Sequence, residues 1–181
     1  MTDLKPLGGI TLAQGQVCLE PMADAHLAGL RSACAEDQAI WDIYPVSMIG
    51  EHFSASVTKM LAPSSRLVYA VIDADAERVV GMTRFINPNT DGVVEIGGTY
   101  IAPSVRDTGF NATMKKLLLD HAFACGYAKV EFRVDTRNAR SMAAVLKLGA
   151  QQEGILRKNR VTWTGFRRDT AVFGLLSDEW S

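Results

Sequence analysis

A polar loop with a central glycine, RDTGFN at positions 106–111, lies between an apolar β-rich run and a strongly amphipathic segment. A helix beginning near Asn111 would leave its first backbone amides without intrahelical acceptors, and such amides bind anions, phosphates in particular. Gly109 permits close approach of the backbone, and Arg106 adds positive charge. The loop is therefore a candidate phosphate-binding corner. The alternative is an ordinary turn in which Thr108 or Asn111 caps the helix.

A second polar corner follows in the stretch VEFRVDTRNARSMAAVLKLGA, residues 130–150. Its pattern predicts a strand that ends near Asp135, a short turn and then a helix. If this strand is parallel to its predecessor, its carboxyl end lies beside the RDTGFN loop, because the carboxyl ends of neighbouring parallel strands share one edge. Asn138 and Ser141 then share a cleft with that loop, although either residue alone could simply cap the helix.

Glu95 is a charged residue between apolar neighbours in the predicted strand GVVEIGGTYI. Gly97 and Gly98 could form a bulge there that opens the strand pairing. A carboxylate at such a place is a candidate general base, and a freed amide between Gly98 and Tyr100 would polarise a carbonyl group. The alternative is that Glu95 occupies an ordinary solvent-facing strand position.

Hydrophobic periodicity defines the elements that must position these residues. Helices are predicted over 24–37, 50–61, 111–125 and 138–149, and strands over 15–22, 66–73, 78–86, 92–101, 129–135, 153–163 and 166–176. Antiparallel hairpins thus accompany one strand-helix-strand-helix passage, which is typical of an α/β or α+β domain with a mixed sheet. No linker or repeat interrupts the pattern, so residues 1–181 are predicted to form a single domain.

Composition excludes several classes of protein. A net charge of -1 gives no general attraction for nucleic acid or anionic lipid. Three widely spaced cysteines and three scattered histidines predict reduced thiols and no metal site. No window approaches the roughly 18 apolar residues of a membrane span, and the N-terminus has no apolar signal core, so a cytoplasmic location is expected. The sequence leaves open whether the chain forms a homodimer.

Two better-known phosphate-binding loops differ from RDTGFN. A P-loop requires the run Gly-x-x-x-x-Gly-Lys-Ser/Thr, and no such framework surrounds Lys115 and Lys116. A dinucleotide-binding fingerprint requires three glycines and an acidic residue about 20 positions later; only Gly109 is present, with Glu131 near the expected distance. An oxidoreductase therefore remains only a weak alternative.

Four stretches resemble one family. RDTGFN is similar, except at its last position, to the Arg/Gln-x-x-Gly-x-Gly/Ala loop of the GNAT acetyltransferase superfamily, and NARSMAAVLKLGA is similar to the Asn-x-x-Ser and Lys-x-Gly pattern that follows it there. VEIGGTYIAP and RRDTAVFGLLSDEW resemble the branch that contains the ribosomal-protein N-terminal acetyltransferases. The resemblance runs from LEPM to DEW. Asn111 departs from the usual Gly or Ala, so its side chain must point away from the phosphates or bond to them.

This resemblance implies a GNAT-like fold: a mixed, mostly antiparallel twisted sheet flanked by helices, with a central strand-helix-strand site for acyl-CoA. It implies that the co-substrate acetyl-CoA lies with its pyrophosphate on the loop amides and its pantetheine arm along the preceding strand. The cofactor-binding residues implied in this way are Tyr100, Ile101, Arg106, Asp107, Thr108, Gly109, Phe110, Asn111, Asn138, Ser141 and Lys147.

The resemblance further implies an N-acetyltransferase whose acceptor amine attacks the thioester directly, with Glu95 as the base and Ser141 as the proton donor to the departing thiolate. The segment AIWDIYPVS resembles the aromatic loop that borders the amine site in this branch, which makes Trp41 and Tyr44 candidates for substrate contact or for core packing.

The acceptor is less well defined. A protein or peptide N-terminus is favoured, with a small amine, an amino acid or a non-catalytic acyl-CoA sensor as alternatives. A cross-strand ion pair is expected among the late-strand residues Arg157, Arg168 and Asp169, in preference to a substrate role.

Overall fold

The structure, a computed structural model, describes residues 4–181. Its helices and strands agree closely with the sequence prediction. The strands are β1 Leu12–Gln14, β2 Val17–Pro21, β3 Arg66–Asp73, β4 Arg78–Ile86, β5 Val93–Ile101, β6 Lys129–Asp135, β7 Gln151–Val161 and β8 Arg167–Leu176. The α-helices are α1 Asp24–Ala35, α2 His52–Leu61, α3 Phe110–Ala124 and α4 Ala139–Lys147, and short 3₁₀ helices span Ala39–Ile43 and Pro103–Val105. The prediction missed β1 and both 3₁₀ helices, because elements of three to five residues are too short to show a period.

The eight strands form one open sheet in the order β1-β2-β3-β4-β5-β6-β8-β7. Every neighbouring pair is antiparallel except β5 and β6, which are parallel and are connected through α3. This confirms the predicted mixed, mostly antiparallel sheet flanked by helices. Among residues 4–181, no helix is both long and apolar enough to cross a membrane.

The parallel pairing of β5 and β6 is short. Its register runs from Val93 opposite Lys129 to Glu95 opposite Glu131, and it stops there although both strands continue. The sheet therefore has a gap between the second halves of β5 and β6, which we call the slot. Both predicted polar corners follow the strands that border it, as expected for parallel neighbours.

Strand β5 contains the predicted bulge. Gly97 pairs with Arg84 and Tyr100 pairs with Met82, so two residues of β5, Gly98 and Thr99, lie opposite one residue of β4. Gly98 has a φ of 57°, in the left-handed region that favours glycine. In a regular strand Thr99 would share the face of Glu95 and Gly97. The bulge shifts the alternation of side chains by one residue, so Thr99 points to the opposite face and Tyr100 points to the face of Glu95.

Helices α1 and α3 cover opposite faces of the sheet beside this bulge. The Tyr100 hydroxyl donates to the carbonyl of Ala33 in α1 at 2.6 Å. On the other face, Lys115 of α3 donates from Nζ to Thr99 Oγ1 at 2.7 Å. Side chains alternate along strands, so Glu95 lies on the same face as Gly97, and Arg84 is the residue that pairs with Gly97. Glu95 and Arg84 therefore share the face that α1 covers.

Candidate active site

The RDTGFN loop has the backbone of an anion-binding corner. Asp107 and Gly109 both have left-handed backbones, with φ of 60° and 84°, and Gly109 is the residue that precedes α3. Within residues 4–181, the amides of Asp107, Thr108 and Gly109 have no hydrogen-bond acceptor, and a Cβ placed on Gly109 would meet nothing within 4 Å. The loop thus presents free N–H groups at the start of a helix beside open space, which suits a phosphate.

Arg106 has a different role from the one its charge suggests. Its Nη1 forms an ion pair with Asp37 Oδ2, and its Nε donates to the carbonyl of Ile101 at 3.0 Å. Only 14% of the side chain is exposed. The guanidinium therefore ties the loop to the end of β5 and to the segment after α1, while the loop amides remain the groups that face an anion.

The other side chains of the loop mostly stabilise it. Thr108 Oγ1 donates to the carbonyl of Val105 at 2.9 Å and accepts from the amide of Phe110 at 3.4 Å. The Phe110 ring is buried in the core, so this residue can face a ligand only through its backbone. Asn111 is half-buried in the first turn of α3.

The second corner joins β6 to α4. Asn138 Oδ1 accepts from the amide of Ser141 at 3.0 Å, so the Asn138 side chain caps α4. The turn is held by Arg137, which forms an ion pair of 2.7 Å with the buried carboxylate of Asp135. Burial raises the pKa of Asp135, but hydrogen bonds from Arg137 outweigh that effect and lower it overall. Ser141 is half-buried at this corner, and Lys147 is exposed in the last turn of α4.

Glu95 lies at the inner end of the slot, in the last residue pair of β5 and β6. Its side chain is 17% exposed, and its Oε2 is 3.6 Å from Arg133 Nε. Burial raises the pKa of Glu95, and the nearby Arg133, Arg160 and Arg84 only partly oppose that shift. A raised pKa brings a carboxylate closer to the pH at which it would exchange protons with an amine.

The two aromatic residues of the 3₁₀ segment have different environments. Trp41 is 0% exposed; its Nε1 donates to the carbonyl of Cys34 at 3.0 Å, and its ring centroid is 4.8 Å from that of Tyr100. Of the two roles considered for Trp41, the structure shows core packing, because a side chain without exposed surface cannot touch a ligand. Tyr44 is half-buried, and its hydroxyl donates to the carbonyl of Thr99 at 2.6 Å. Burial raises the pKa of Tyr44 to about 12.

Thr99 is thus held from three directions. Its carbonyl accepts from Tyr44, and its hydroxyl contacts both Lys115 and the hydroxyl of Thr83, at 2.7 and 2.8 Å. Lys115 is only 7% exposed, and burial lowers its pKa to about 7. The bulge is therefore fixed by three residues from different parts of the chain, and only Tyr44 among them was a predicted site residue.

The expected cross-strand ion pair of the last hairpin is wrong. Arg168 is buried and donates from Nε to Thr170 Oγ1 at 3.2 Å, whereas Asp169 Oδ1 accepts from the amide of Lys158 at 2.7 Å. Arg168 and Asp169 are neighbours on β8, so the cross-strand partner open to Asp169 was Arg157. The register of β7 and β8 shifts between Leu156 and Arg160, and Asp169 bonds to the Lys158 amide there instead. Arg157 is exposed on β7. In this hairpin Trp163, another residue missed from sequence, donates from Nε1 to the carbonyl of Trp41 at 2.8 Å.

Features elsewhere in the described part of the chain offer no competing site. No group of three or more His, Cys, Asp or Glu residues within 4–181 could hold a metal ion, and Cys18, Cys34 and Cys125 are free. A cavity of about 200 Å³ lies beside β3, and one of about 300 Å³ lies between α1 and α2; neither is lined by a predicted site residue.

Comparison with known proteins agrees with this geometry. The family model for the acetyltransferase (GNAT) domain matches residues 16–151. A probable acetyltransferase of the GNAT family from Chromobacterium violaceum is 30% identical, covering 99% of this chain and 97% of that one, with a TM-score of 0.87. A GCN5-related N-acetyltransferase from Brucella melitensis is 28% identical, covering 99% of this chain and 84% of that one, with a TM-score of 0.85.

More distant structures share the fold alone. A ribosomal-protein-S5-alanine acetyltransferase from Vibrio fischeri is 12% identical over 96% of this chain and all of that one, with a TM-score of 0.76. A spermidine N-acetyltransferase from Vibrio cholerae, in complex with CoA and spermine, is 18% identical over 92% and 98% of the two chains, with a TM-score of 0.74. From the family match and the similar structures over nearly the whole chain, we conclude that this protein belongs to the GNAT acetyltransferase family.

Proposed function

We propose that this protein is an N-acetyltransferase that transfers the acetyl group of acetyl-CoA to a primary amine. GNAT acetyltransferases use acetyl-CoA, and the observation that carries the proposal here is the row of free amides in the RDTGFN loop at one end of the slot, with Glu95 at the other. We further propose that the chain acts as a single domain in the cytoplasm, as its composition predicts.

In this proposal acetyl-CoA is held by both corners of the slot. The free amides of Asp107, Thr108 and Gly109 bind its pyrophosphate, and the backbone of Tyr100 and Ile101 lies along the pantetheine arm. Asn138 and Ser141 approach from the other side of the slot, and Lys147 serves the nucleotide end. The proposal rests on the free amides and on the parallel strands that bring the two corners to one edge.

The proposed reaction is direct attack of a neutral amine on the thioester carbonyl. Glu95 accepts the proton that the amine loses, directly or through a water molecule. A backbone amide of the bulge, between Gly98 and Tyr100, donates to the oxygen that becomes negative when the C–N bond forms. The C–S bond then breaks, and Ser141 donates a proton to the departing thiolate, directly or through a water molecule. Its hydroxyl regains a proton from solvent, to which Glu95 releases the one it accepted. Glu95 suits its part because its buried carboxylate holds a proton more readily than an exposed one.

A protein or peptide N-terminus is the favoured acceptor class, because an α-amine has a pKa near 7.7 to 8 and a modest base suffices to neutralise it. An amino acid or another small amine is the alternative. A non-catalytic acyl-CoA sensor would keep the amide corner and would not need Glu95 or Ser141.

CoA should stabilise the folded protein against unfolding. A ligand selective for the native state adds roughly 2.7 kcal/mol at a concentration about 100 times its dissociation constant. We expect this gain as a rise in melting temperature with millimolar CoA, measured by calorimetry, while NAD at the same concentration produces none. A shift with NAD and none with CoA would reject the acetyltransferase proposal in favour of a dinucleotide-dependent enzyme.

Gly109→Val should remove the CoA-dependent melting shift, because a branched side chain would fill the space where the pyrophosphate approaches the loop. Gly15→Val is a matched control. Gly15 also has a left-handed backbone, with a φ of 55°, and open space at the position of a Cβ, but it lies in the turn between β1 and β2. Both variants should melt earlier, and only Gly15→Val should keep the CoA shift. Equal shifts in the two variants would mean that residues 106–111 form only a turn.

A further inference from the structure

We propose that the acceptor carries a carboxylate within a few bonds of its amine and that Arg84 binds this carboxylate. The inference rests on the proposed function, and it narrows the acceptor to amino acids or to peptides whose first residue is acidic. It depends on the position of Arg84, on the absence of a partner for its guanidinium and on the charges around Glu95.

Arg84 is placed beside the reacting groups by the bulge. It pairs with Gly97 in the sheet and shares a face with Glu95. A Cβ built on Gly97 would lie 2.6 Å from Glu95 Oε1, and one built on Gly98 would collide with Arg84 Nε. The Glu95 carboxylate and the Arg84 guanidinium therefore lie over two consecutive glycines. An amine at Glu95 and an anion at Arg84 could belong to one small molecule or one terminal residue.

The Arg84 guanidinium has no partner among residues 4–181. Its Nε is enclosed and makes no hydrogen bond, and no carboxylate in this part of the chain forms an ion pair with it, the pair of Glu95 being with Arg133. Burial lowers the pKa of Arg84 to about 10; Arg66 and Arg160 add to that lowering, and Glu95 partly opposes it. The side chain is half-buried, and its Nη groups, unlike Nε, are not enclosed. A carboxylate that accepts two parallel N–H bonds from the two Nη groups would give this guanidinium the direct ion pair that it lacks within residues 4–181.

Positive charge also surrounds this position. Arg133 and Arg160 act on Glu95, and Arg160 also acts on the buried Arg168. Of the carboxylates nearby, Asp135 is paired with Arg137, and Glu131 contacts both Lys129 and Arg133. The acceptor side of the slot is thus locally cationic in a chain whose net charge is only -1. Such a surface attracts anionic acceptors and repels polyamines.

The test compares acceptors in which a carboxylate is replaced by its amide, and the matched Arg84 variants separate its binding from the accompanying change in amine pKa. Initial rates of thiol release from acetyl-CoA would be measured with alanine against alaninamide, and with a peptide that begins with Asp against the same peptide beginning with Asn. Wild-type protein should favour one of the carboxylate-bearing members by at least about 10-fold in kcat/KM, since hydrogen bonds to charged groups are worth about 1.5–3 kcal/mol. A preference within the first pair would identify a free amino acid as the acceptor. A preference within the second pair would identify a peptide whose first residue is acidic.

Arg84→Gln should bring the two members of the preferred pair to similar kcat/KM, chiefly by raising KM for the carboxylate-bearing one. Arg84→Lys keeps the charge and should retain part of the preference. Arg157→Gln removes an exposed arginine of β7 and is the matched control that should leave the preference unchanged. The melting shift with CoA should be the same in all of these proteins.

Several results would overturn the inference while leaving the proposed function intact. These are equal rates for both members of each pair, a preference for spermidine or for a phosphoserine peptide, or a preference that survives Arg84→Gln. If CoA binds but no acceptor is acetylated, calorimetric titration of the same acceptors into the CoA complex still measures the preference. Equal affinity for acid and amide would then reject the inference, whereas tighter binding of the acid that Arg84→Gln abolishes would support it even though the enzyme proposal had failed.

Discussion

Glu95→Gln is expected to lower turnover by roughly 100-fold or more while CoA affinity stays near wild type, because a carboxamide cannot accept the proton that the amine loses. The residue lies at the inner end of the slot, away from the loop that is proposed to bind the pyrophosphate. Initial rates of thiol release, with CoA affinity measured separately by calorimetry, check the expectation. Unchanged turnover would remove Glu95 from the mechanism without affecting the family assignment.

The pH dependence of the same variant provides a second readout. Burial raises the pKa of Glu95, so wild-type kcat/KM should fall as the pH drops through that raised value and the base becomes protonated. Glu95→Gln should lose this acidic limb and recover partly at high pH, where more of the acceptor is already neutral. Glu131→Gln is a matched control: Glu131 lies opposite Glu95 in the register, but it already contacts Lys129 at 3.4 Å and Arg133 at 3.2 Å. It should keep most of the activity.

Lys115→Met is expected to stabilise the protein at neutral pH. Lys115 is 7% exposed, and burial lowers its pKa to about 7. In the unfolded chain the same amine has a pKa near 10.4, so between about pH 7 and 10 the unfolded state binds more protons and wild-type stability rises with pH. At about 1.4 kcal/mol per pKa unit, replacing the amine should increase the free energy of unfolding by up to about 4 kcal/mol at pH 7. The loss of the hydrogen bond to Thr99 reduces this gain.

Urea unfolding at several pH values between 7 and 10 measures this effect. The stability advantage of Lys115→Met should shrink as the pH rises. The wild-type amine is then increasingly deprotonated in the unfolded state as well, so folding no longer requires it to release a proton. Lys116→Met is the neighbouring control: Lys116 is exposed and pairs with Asp120 at 2.8 Å, so its loss should change stability little. Wild-type stability that is flat across this range, with no gain in Lys115→Met, would show that the native state keeps Lys115 protonated.

Local pattern was sufficient to predict most of the fold. Alternation and helical spacing located every strand of more than three residues and all four α-helices, and the parallel arrangement of β5 and β6 followed from the helix between them. The bulge could be predicted because glycine weakens a regular strand, so that two in succession indicate an interruption of the pairing. The close approach predicted at Gly109 is likewise a backbone feature, since a Cβ placed there would meet nothing within 4 Å.

Side chains with partners distant in sequence could not be assigned in this way. Arg106 was expected to face an anion, but Asp37, from a segment about 70 positions earlier, forms an ion pair with it. Trp41 was a candidate for substrate contact, and only the packing of Tyr100 against it shows that it is buried. Arg84 was not among the predicted site residues, because neither its approach to Gly98 nor its unbonded Nε is visible from neighbours along the chain.

The short junction between β5 and β6 also has a consequence for how the protein is made. Each strand from β1 to β5 pairs with the next one in the chain, so the first five strands can assemble while the ribosome is still synthesising the rest. Within the sheet, the last three strands join that unit through only three residue pairs, to which side-chain contacts such as the bond from Trp163 to Trp41 are added. The RDTGFN loop follows the earlier unit and Ser141 belongs to the later one, so neither unit alone contains a complete site. The two corners that are proposed to hold acetyl-CoA therefore come together only when the second unit docks onto the first.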